Sequence, residues 1–290
     1  YDIASCLVGS EMCIRGRALA ATTRLVAAPD QYRFEGEDLG DWFAAQIQAQ
    51  IDDMNANGIK FAGFLADSIF SSDGVMPNPI GFLKKAVDVV HANGGIFIAD
   101  EVQPGFARTG DSFWGFGRHG VVPDIITTGK PMGNGIPVSG LLAKDHVLSA
   151  FSQKIPYFNT FGGNPVAMAA AQAVLKTIQE EELQAHSQRL GGLLLTELRK
   201  LMEKYDCVGD VRGAGLFIGF ELVQDRFTKM PDKALALDLI EELRNTHRVL
   251  TSVAGPYGNV LKLRPPLVFQ EKDIDWLVGA LDQALSKLQK

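Results

Sequence analysis

Two ionisable side chains stand where strands should end. Asp100 closes the apolar run Gly95-Ile96-Phe97-Ile98-Ala99-Asp100, and Lys130 closes Pro123-Asp124-Ile125-Ile126-Thr127-Thr128-Gly129-Lys130. Each run has the continuity of a buried strand. Open α/β sheets bind ligands beyond the C-terminal ends of such strands. An amine placed there can form a Schiff base, and a carboxylate beside it can keep a heteroaromatic nitrogen protonated. Pyridoxal phosphate uses that pair of groups. Val102 and Gln103 follow Asp100 on the same turn. A valine can lie flat on an aromatic ring, and a glutamine can hydrogen-bond a phenolic oxygen.

Two further clusters have chemical potential. Tyr157-Phe158-Asn159-Thr160-Phe161-Gly162-Gly163-Asn164-Pro165 offers a hydroxyl and flexible backbone amides just before a helix, which suits a phosphate. Leu261-Lys262-Leu263-Arg264-Pro265-Pro266 ends a strand on Arg264 and then stiffens the chain with two prolines. A guanidinium held that way can grip a carboxylate through two bonds. Each cluster also has a plain structural reading: a helix-leading loop for the first, an ion pair for the second. A nucleotide site fits poorly. The phosphate loop of an ATPase precedes its acidic strand, whereas Gly129-Lys130 follows Asp100. Pro131 stands where that motif needs Ser or Thr, and Asp124 where it needs its first glycine. Gly133-Asn134-Gly135 lacks the third glycine of a dinucleotide fingerprint.

The elements that position these residues follow from period and punctuation. Trp42, Phe43, Ile47, Ile51 and Met54 recur at helical spacing from Leu39 to Asn57. A strand is expected at Phe61 to Ala66, a loop at Ser71 to Pro79 and a helix over 80–92 that stops at Asn93-Gly94-Gly95. After the Asp100 and Lys130 strands comes a strand at Val138 to Leu142. Then Asn164 caps a helix from Pro165 to Gln179. A long helix follows at Leu183 to Lys204. Strands are expected at Val208–Val211, Leu216–Leu222, 249–252 and 260–263, with helices near 232–246 and from 271. Alternating strands and helices point to a mostly parallel α/β sheet, followed by an α+β segment. Residues 1–17 follow neither period and read as a non-native segment.

The composition narrows the partners. The chain has 290 residues, 46% apolar and 21% charged, with a net charge of −6 and no basic block. Nucleic acid and anionic membranes are poor partners for such a surface. No apolar stretch approaches the roughly 20 residues of a membrane span. Cys6, Cys13 and Cys207 form neither a disulfide framework nor a metal spacing, and the five histidines do not cluster, so a cytoplasmic, metal-free protein is expected.

Together the motifs resemble a known family. Ile98-Ala99-Asp100-Glu101-Val102-Gln103 with Gly105-Phe106-Ala107-Arg108-Thr109-Gly110, Pro123-Asp124-Ile125 through Gly129-Lys130, and Thr160-Phe161-Gly162-Gly163-Asn164-Pro165 resemble the class III pyridoxal-phosphate aminotransferases, in order and spacing. Val211-Arg212-Gly213-Ala214-Gly215-Leu216-Phe217-Ile218-Gly219 and the Asn259-Val260-Leu261-Lys262 entry to Arg264 look most like the branch of alanine–glyoxylate aminotransferase type 2 and the ethanolamine-phosphate phospho-lyases. The resemblance implies fold type I, with an incomplete, mostly parallel large-domain sheet over 18–180 and a C-terminal α+β small domain over 181–290. It implies pyridoxal 5'-phosphate as cofactor and small-molecule amino donors and oxo-acid acceptors as substrates. Lys130 would be the Schiff-base lysine and Asp100 the partner of the pyridine nitrogen. Val102 would pack on the ring and Gln103 would reach its phenolic oxygen. Thr160 would bind the cofactor phosphate of a partner subunit in a homodimer, and Arg264 would hold the substrate carboxylate. The family's glycine-rich phosphate cup and aromatic ring-stacker belong upstream of Leu25, where only Gly9-Ser10-Glu11 echoes the cup. The chain therefore reads as an N-terminally truncated piece. Transaminase, phospho-lyase of an amino-alcohol phosphate and inactive fragment all remain open. Asp67 stands where many relatives carry a glutamate.

Overall fold

The computed structural model describes residues 20–289. The segment read as non-native, 1–17, lies outside the described residues. Two sheets organise the rest, each with its own apolar core.

The first sheet has the order β1 (Gly63–Asp67), β2 (Ile96–Asp100), β3 (Ile125–Thr128), β4 (Gly140–Ala143). The first three strands are parallel and the fourth runs antiparallel to β3. One face is covered by α1 (Leu39–Ala56) and α2 (Leu83–Ala92). Asp38 caps α1 by accepting the Asp41 N–H at 2.8 Å. Phe43, Ile47 and Ile51 of α1 and Leu83, Ala86, Val87 and Val90 of α2 then pack on Ala66, Phe97 and Ala99. Strand alternation sends Asp67, Asp100 and Thr127 to the opposite face, in one row of register. That face is thinly covered: Leu65 is 53% exposed and Leu141 59%.

Lys130 does not extend β3. The strand stops at Thr128, and Lys130 opens a 3-10 turn over Lys130–Gly133 with φ +27. Pro131 explains this: it has no N–H for a strand ladder, and it suits the first turn of a helix. Beyond β4 come α3 (Asp145–Lys154), α4 (Pro165–Glu180) and α5 (Leu183–Lys204). Asn164 caps α4 as the sequence implied, accepting the Ala167 N–H at 2.9 Å.

The second sheet is antiparallel, β5 (Val208–Ala214), β6 (Phe217–Asp225), β9 (Val260–Leu263) and β8 (Ser252–Ala254) in that order, with β7 (Met230–Pro231) paired to β6. Strand β8 starts three residues later than its apolar pattern suggests. Helices α5, α6 (Lys233–His247) and α7 (Glu271–Leu288) bury Leu190, Leu194, Leu239, Leu243, Leu281 and Leu285 against Ile218, Phe220 and Leu222. The other face of β6 is buried too. Phe217 packs there on Ile69 and Val75, and a Cβ at Gly219 would sit 3.1 Å from the Gly74 carbonyl. The loop after β1 thus lies directly on the second sheet.

A buried ion network fastens this contact. Arg212 is 1% exposed and Glu221 fully buried. Arg212 donates to Glu221 at 2.6 Å, to Asp210 at 2.8 Å, to Gly74 O at 2.6 Å and to Val75 O at 2.8 Å. Glu221 also accepts from Asn259 at 3.1 Å and pairs with Arg33 at 2.5 Å. Removing one member of such a network strands the others without water. Glu221→Ala should therefore lower the unfolding free energy by about 3–5 kcal/mol in urea titration. A loss under about 1 kcal/mol would mean that the network behaves like an exposed pair.

Candidate active site

The register of the first sheet builds the acidic side of the site. Asp67 and Asp100 are Cα partners at the ends of β1 and β2, and Glu101 follows with its N–H on Thr127 O at 2.9 Å. Asp100 accepts the Val102 N–H at 3.0 Å, which turns the chain so that Val102 and Gln103 face inward. Asp67 caps its own loop: its carboxylate accepts the Ile69 and Ser71 N–H groups at 2.9 and 3.0 Å, and the Ser71 hydroxyl. As a residue Asp67 is half-buried, yet its carboxyl oxygens lie inside these bonds. Burial raises that carboxyl to about 6 against the pull of the hydrogen bonds, and the charge of Asp100 adds to the rise.

Lys130 lines two adjoining cavities of about 590 and 690 Å³. The larger also takes in Val102, Gln103, Arg108 and Arg264. Four of the six residues expected at the site, Lys130, Val102, Gln103 and Arg264, therefore converge on one space. Asp100 lies behind it at the strand end. Thr160 stands apart on an exposed loop beside the smaller cavity, whose wall includes its neighbours Asn159 and Phe161.

Gln103 is the pivot of this space. Its Oε1 accepts from Arg264 Nη1 at 2.8 Å, and its Nε2 donates to Ser71 Oγ at 2.7 Å. The second Nε2 proton has only a 3.4 Å contact with Ser72, beyond the usual range for a good bond. That proton is the more weakly held of the two. Arg264 also lies over the Phe217 ring, 5.7 Å from its centre.

Two residues escaped the sequence reading. Glu101 is fully buried and accepts from Ser68 Oγ at 2.8 Å and from the Gly115 and Phe116 N–H groups at 2.6 and 2.9 Å. It anchors the aromatic loop that returns behind β2. Arg108 reaches from that loop into the larger cavity. Both lie in quoted motifs, but their partners are distant in sequence, and spacing alone carries no trace of them.

The profile of the class-III aminotransferases matches residues 11–285. The chain belongs to the class-III aminotransferase family. It is 42% identical over 260 residues to alanine–glyoxylate aminotransferase 2 homolog 2, mitochondrial, of Arabidopsis thaliana, a match covering 90% of this chain and 54% of the relative. It is 40% identical over 253 residues to ethanolamine-phosphate phospho-lyase homolog 1 of Caenorhabditis elegans, covering 87% and 54% respectively. Among solved structures, a phospholyase from Arthrobacter in complex with phosphoethanolamine superimposes with a TM-score of 0.88 at 38% identity, covering 93% of this chain and 65% of that one. The chain spans about half the length of the curated relatives it matches. The fold is that of the family, and its members depend on pyridoxal phosphate. Among the described residues no helix is long and apolar enough to cross a membrane, and no group of His, Cys, Asp and Glu is arranged to hold a metal.

Glu101 gives this site a pH signature. Burial raises its carboxyl from 4.5 to about 7, outweighing its three donors. The native state then holds a proton that the unfolded chain has released, so stability is full below about 4.5 and falls as pH rises towards 7. Relative to Glu101→Gln, the wild type should lose up to about 3 kcal/mol of unfolding free energy between these limits. A difference that stays flat across this range would show that the carboxyl is not raised.

Proposed function

We propose that this chain contributes the lysine, the ring-nitrogen acid and the carboxylate-binding arginine of a pyridoxal-phosphate-dependent aminotransferase, which moves an amino group between an amino acid and a 2-oxo acid. One observation carries the reading: Lys130, Gln103 and Arg264 converge on one cavity, with Asp100 at the adjoining strand end.

The donor set suits the cofactor. A primary amine, a carboxylate, an apolar Val102 wall and one weakly held amide proton match an aldehyde, a basic ring nitrogen, a ring face and a phenolic oxygen. When bound, pyridoxal phosphate supplies an aldehyde for the amine and a ring that draws electron density from the substrate Cα. Lys130 would be the amine that holds the group and, once released, the base that moves a proton at Cα. Asp100 keeps the ring nitrogen protonated. Val102 would pack on the ring, and Gln103 would turn its weakly held second proton to the phenolic oxygen. Arg264 takes the substrate carboxylate in a fork of two bonds. Thr160, exposed and away from the cavity, serves the phosphate of a partner subunit's cofactor in a homodimer. The division into 18–180 and 181–290 is supported by the two separate cores, and a cytoplasmic setting suits the buried free thiol of Cys207.

A second reading rests on a specific observation. The phospho-lyase of Caenorhabditis elegans and the Arthrobacter structure with phosphoethanolamine match as well as the aminotransferases do. There the same proton removal by Lys130 would expel phosphate from an amino-alcohol phosphate. A third reading, an inactive piece, predicts that the protein neither retains cofactor nor turns over either substrate.

Borohydride reduction of the cofactor-loaded protein, followed by peptide mass mapping, should place the label on Lys130. A label on another lysine overturns the assignment. Amino transfer to glyoxylate or pyruvate, set against phosphate release from phosphoethanolamine, separates the two enzyme readings. Arg264→Lys keeps the charge but loses the planar fork, so catalytic efficiency with α-amino acids should fall by the equivalent of roughly 1–3 kcal/mol. Unchanged turnover of α-amino acids would move Arg264 out of the substrate site.

A further inference from the structure

Arg264 is exposed and stands at the end of a strand. A long side chain there has many rotamers, and ordering it costs conformational entropy. Something must fix both the backbone that carries it and the surface on which it lies. The same residue does both. Arg108 Nη1 donates to Leu216 O at 3.2 Å and, by a short bond, to Pro265 O. Pro265 follows Arg264 directly. Leu216 precedes Phe217, whose fully buried ring lies beneath the Arg264 guanidinium. One guanidinium group thus pins the residue after Arg264 and the residue before its stacking ring.

Arg108 is itself fixed from several directions. Its carbonyl accepts from the Leu216 N–H at 3.1 Å and from Ser187 Oγ of α5 at 2.9 Å. The two residues before it, Phe106 and Ala107, hold φ of +58 and +64, a conformation that non-glycine residues keep only when their surroundings impose it. On the facing turn Gly215 has φ +51, and a Cβ there would lie 2.5 Å from the Arg108 carbonyl. The chain tolerates local strain and requires a glycine so that the Arg108 backbone can sit against this turn. Burial and the neighbouring charge of Arg264 lower the Arg108 pKa to about 10, with no carboxylate among the described residues opposing them. A desolvated cation without an acid is poor for stability alone. Its repulsion does, however, favour an Arg264 that points away from it, towards Gln103.

We propose that Arg108 is the positioning residue for Arg264: it locks the Leu216–Phe217 and Arg264–Pro265 backbones together, so that the Arg264 guanidinium is presented to a substrate carboxylate. The proposal rests on the reading of Arg264 as the carboxylate site. In this role Arg108 acts through its bonds to the Leu216 and Pro265 carbonyls.

The test uses the complete, cofactor-loaded protein and two probes. Pyruvate carries a carboxylate and no amine, and its dissociation constant is read by calorimetry. Isopropylamine carries an amine and no anionic group, and its KM and kcat are read as a donor. Arg108→Gln should weaken pyruvate roughly tenfold, as expected for misplacing one charged hydrogen-bond pair. Isopropylamine parameters should stay within about twofold, because that donor makes no use of the guanidinium. Arg108→Lys keeps a charge but loses the rigid planar fork, so it should fall between wild type and Arg108→Gln. It decides the matter if Arg108→Gln does not fold. Arg264→Gln is the control. If it weakens pyruvate while folded Arg108 variants do not, the positioning role is wrong and the Arg264 reading survives. If Arg264→Gln leaves pyruvate unchanged, the Arg264 reading itself fails. An equal loss for pyruvate and isopropylamine in the Arg108 variants would mark Arg108 as generally structural and overturn the proposal.

Discussion

The buried pair of Arg212 and Glu221 sets the geometry on which the site rests. Arg212 spends its guanidinium on two carboxylates and on the carbonyls of Gly74 and Val75. Without those bonds the loop after β1 would carry buried polar backbone with no partner. With them, the loop is held against β6, and Ser71 on that loop meets Gln103 at 2.7 Å. Gln103 in turn meets Arg264. Hydrogen bonds at both ends of this loop therefore link the core of the second sheet to the expected carboxylate site. Such a network specifies one arrangement because each of its members is costly to leave unpaired.

Charge is segregated around the cavity. Asp67, Asp100 and Glu101 crowd the ends of β1 and β2, while Lys130, Arg108 and Arg264 line the space in front. Burial pushes Asp67 to about 6 and Glu101 to about 7. Each proton these groups take up reduces the like-charge repulsion at the strand ends. Their hydrogen bonds serve structure: Asp67 closes its loop and Glu101 holds the Gly115 and Phe116 amides. Asp100 differs: its Oδ1 closes the turn after β2 by accepting the Val102 N–H. The three acids are neighbours in space but are not interchangeable.

The parts of the molecule governed by local chemistry could be read from the chain. The Asp100 strand followed from an apolar run ended by an acid. The α4 start followed from Asn164 and Pro165. Parts governed by tertiary contacts could not. Helix α3 packs weakly, with Leu148 and Phe151 41% and 42% exposed, so no core position marks it. The antiparallel direction of β4 has no signature in a four-residue apolar strand. The placement of Lys130 in a 3-10 turn could have been found by weighing Pro131 more heavily than the apolar run before it. Gly213 and Ala214, expected to separate two strands, belong to β5, and the reversal is left to Gly215 and Leu216. Arg108 gains its meaning from contacts with residues 216 and 265, over a hundred positions away.

The loop bearing Thr160 completes the picture from the other side. Tyr157, Phe158 and Phe161 are 71%, 86% and 80% exposed, and Val166 at the start of α4 is 72% exposed. Single exposed apolar residues are ordinary, but a run of aromatics on one loop is not. Each aromatic side chain would remove 150 Å² or more from water if covered, at roughly 25 cal/mol per Å². Within the loop, Asn159 already accepts the Phe161 and Gly162 N–H groups, so the backbone is shaped while the aromatic side chains still face outward. A preformed loop with apolar flanks and a central hydroxyl is suited to docking on another surface and delivering that hydroxyl to a phosphate there. The proposed homodimer, in which Thr160 serves the cofactor phosphate of a partner subunit, would use such a loop, and Thr160 lies outside the cavity that gathers Lys130, Gln103 and Arg264.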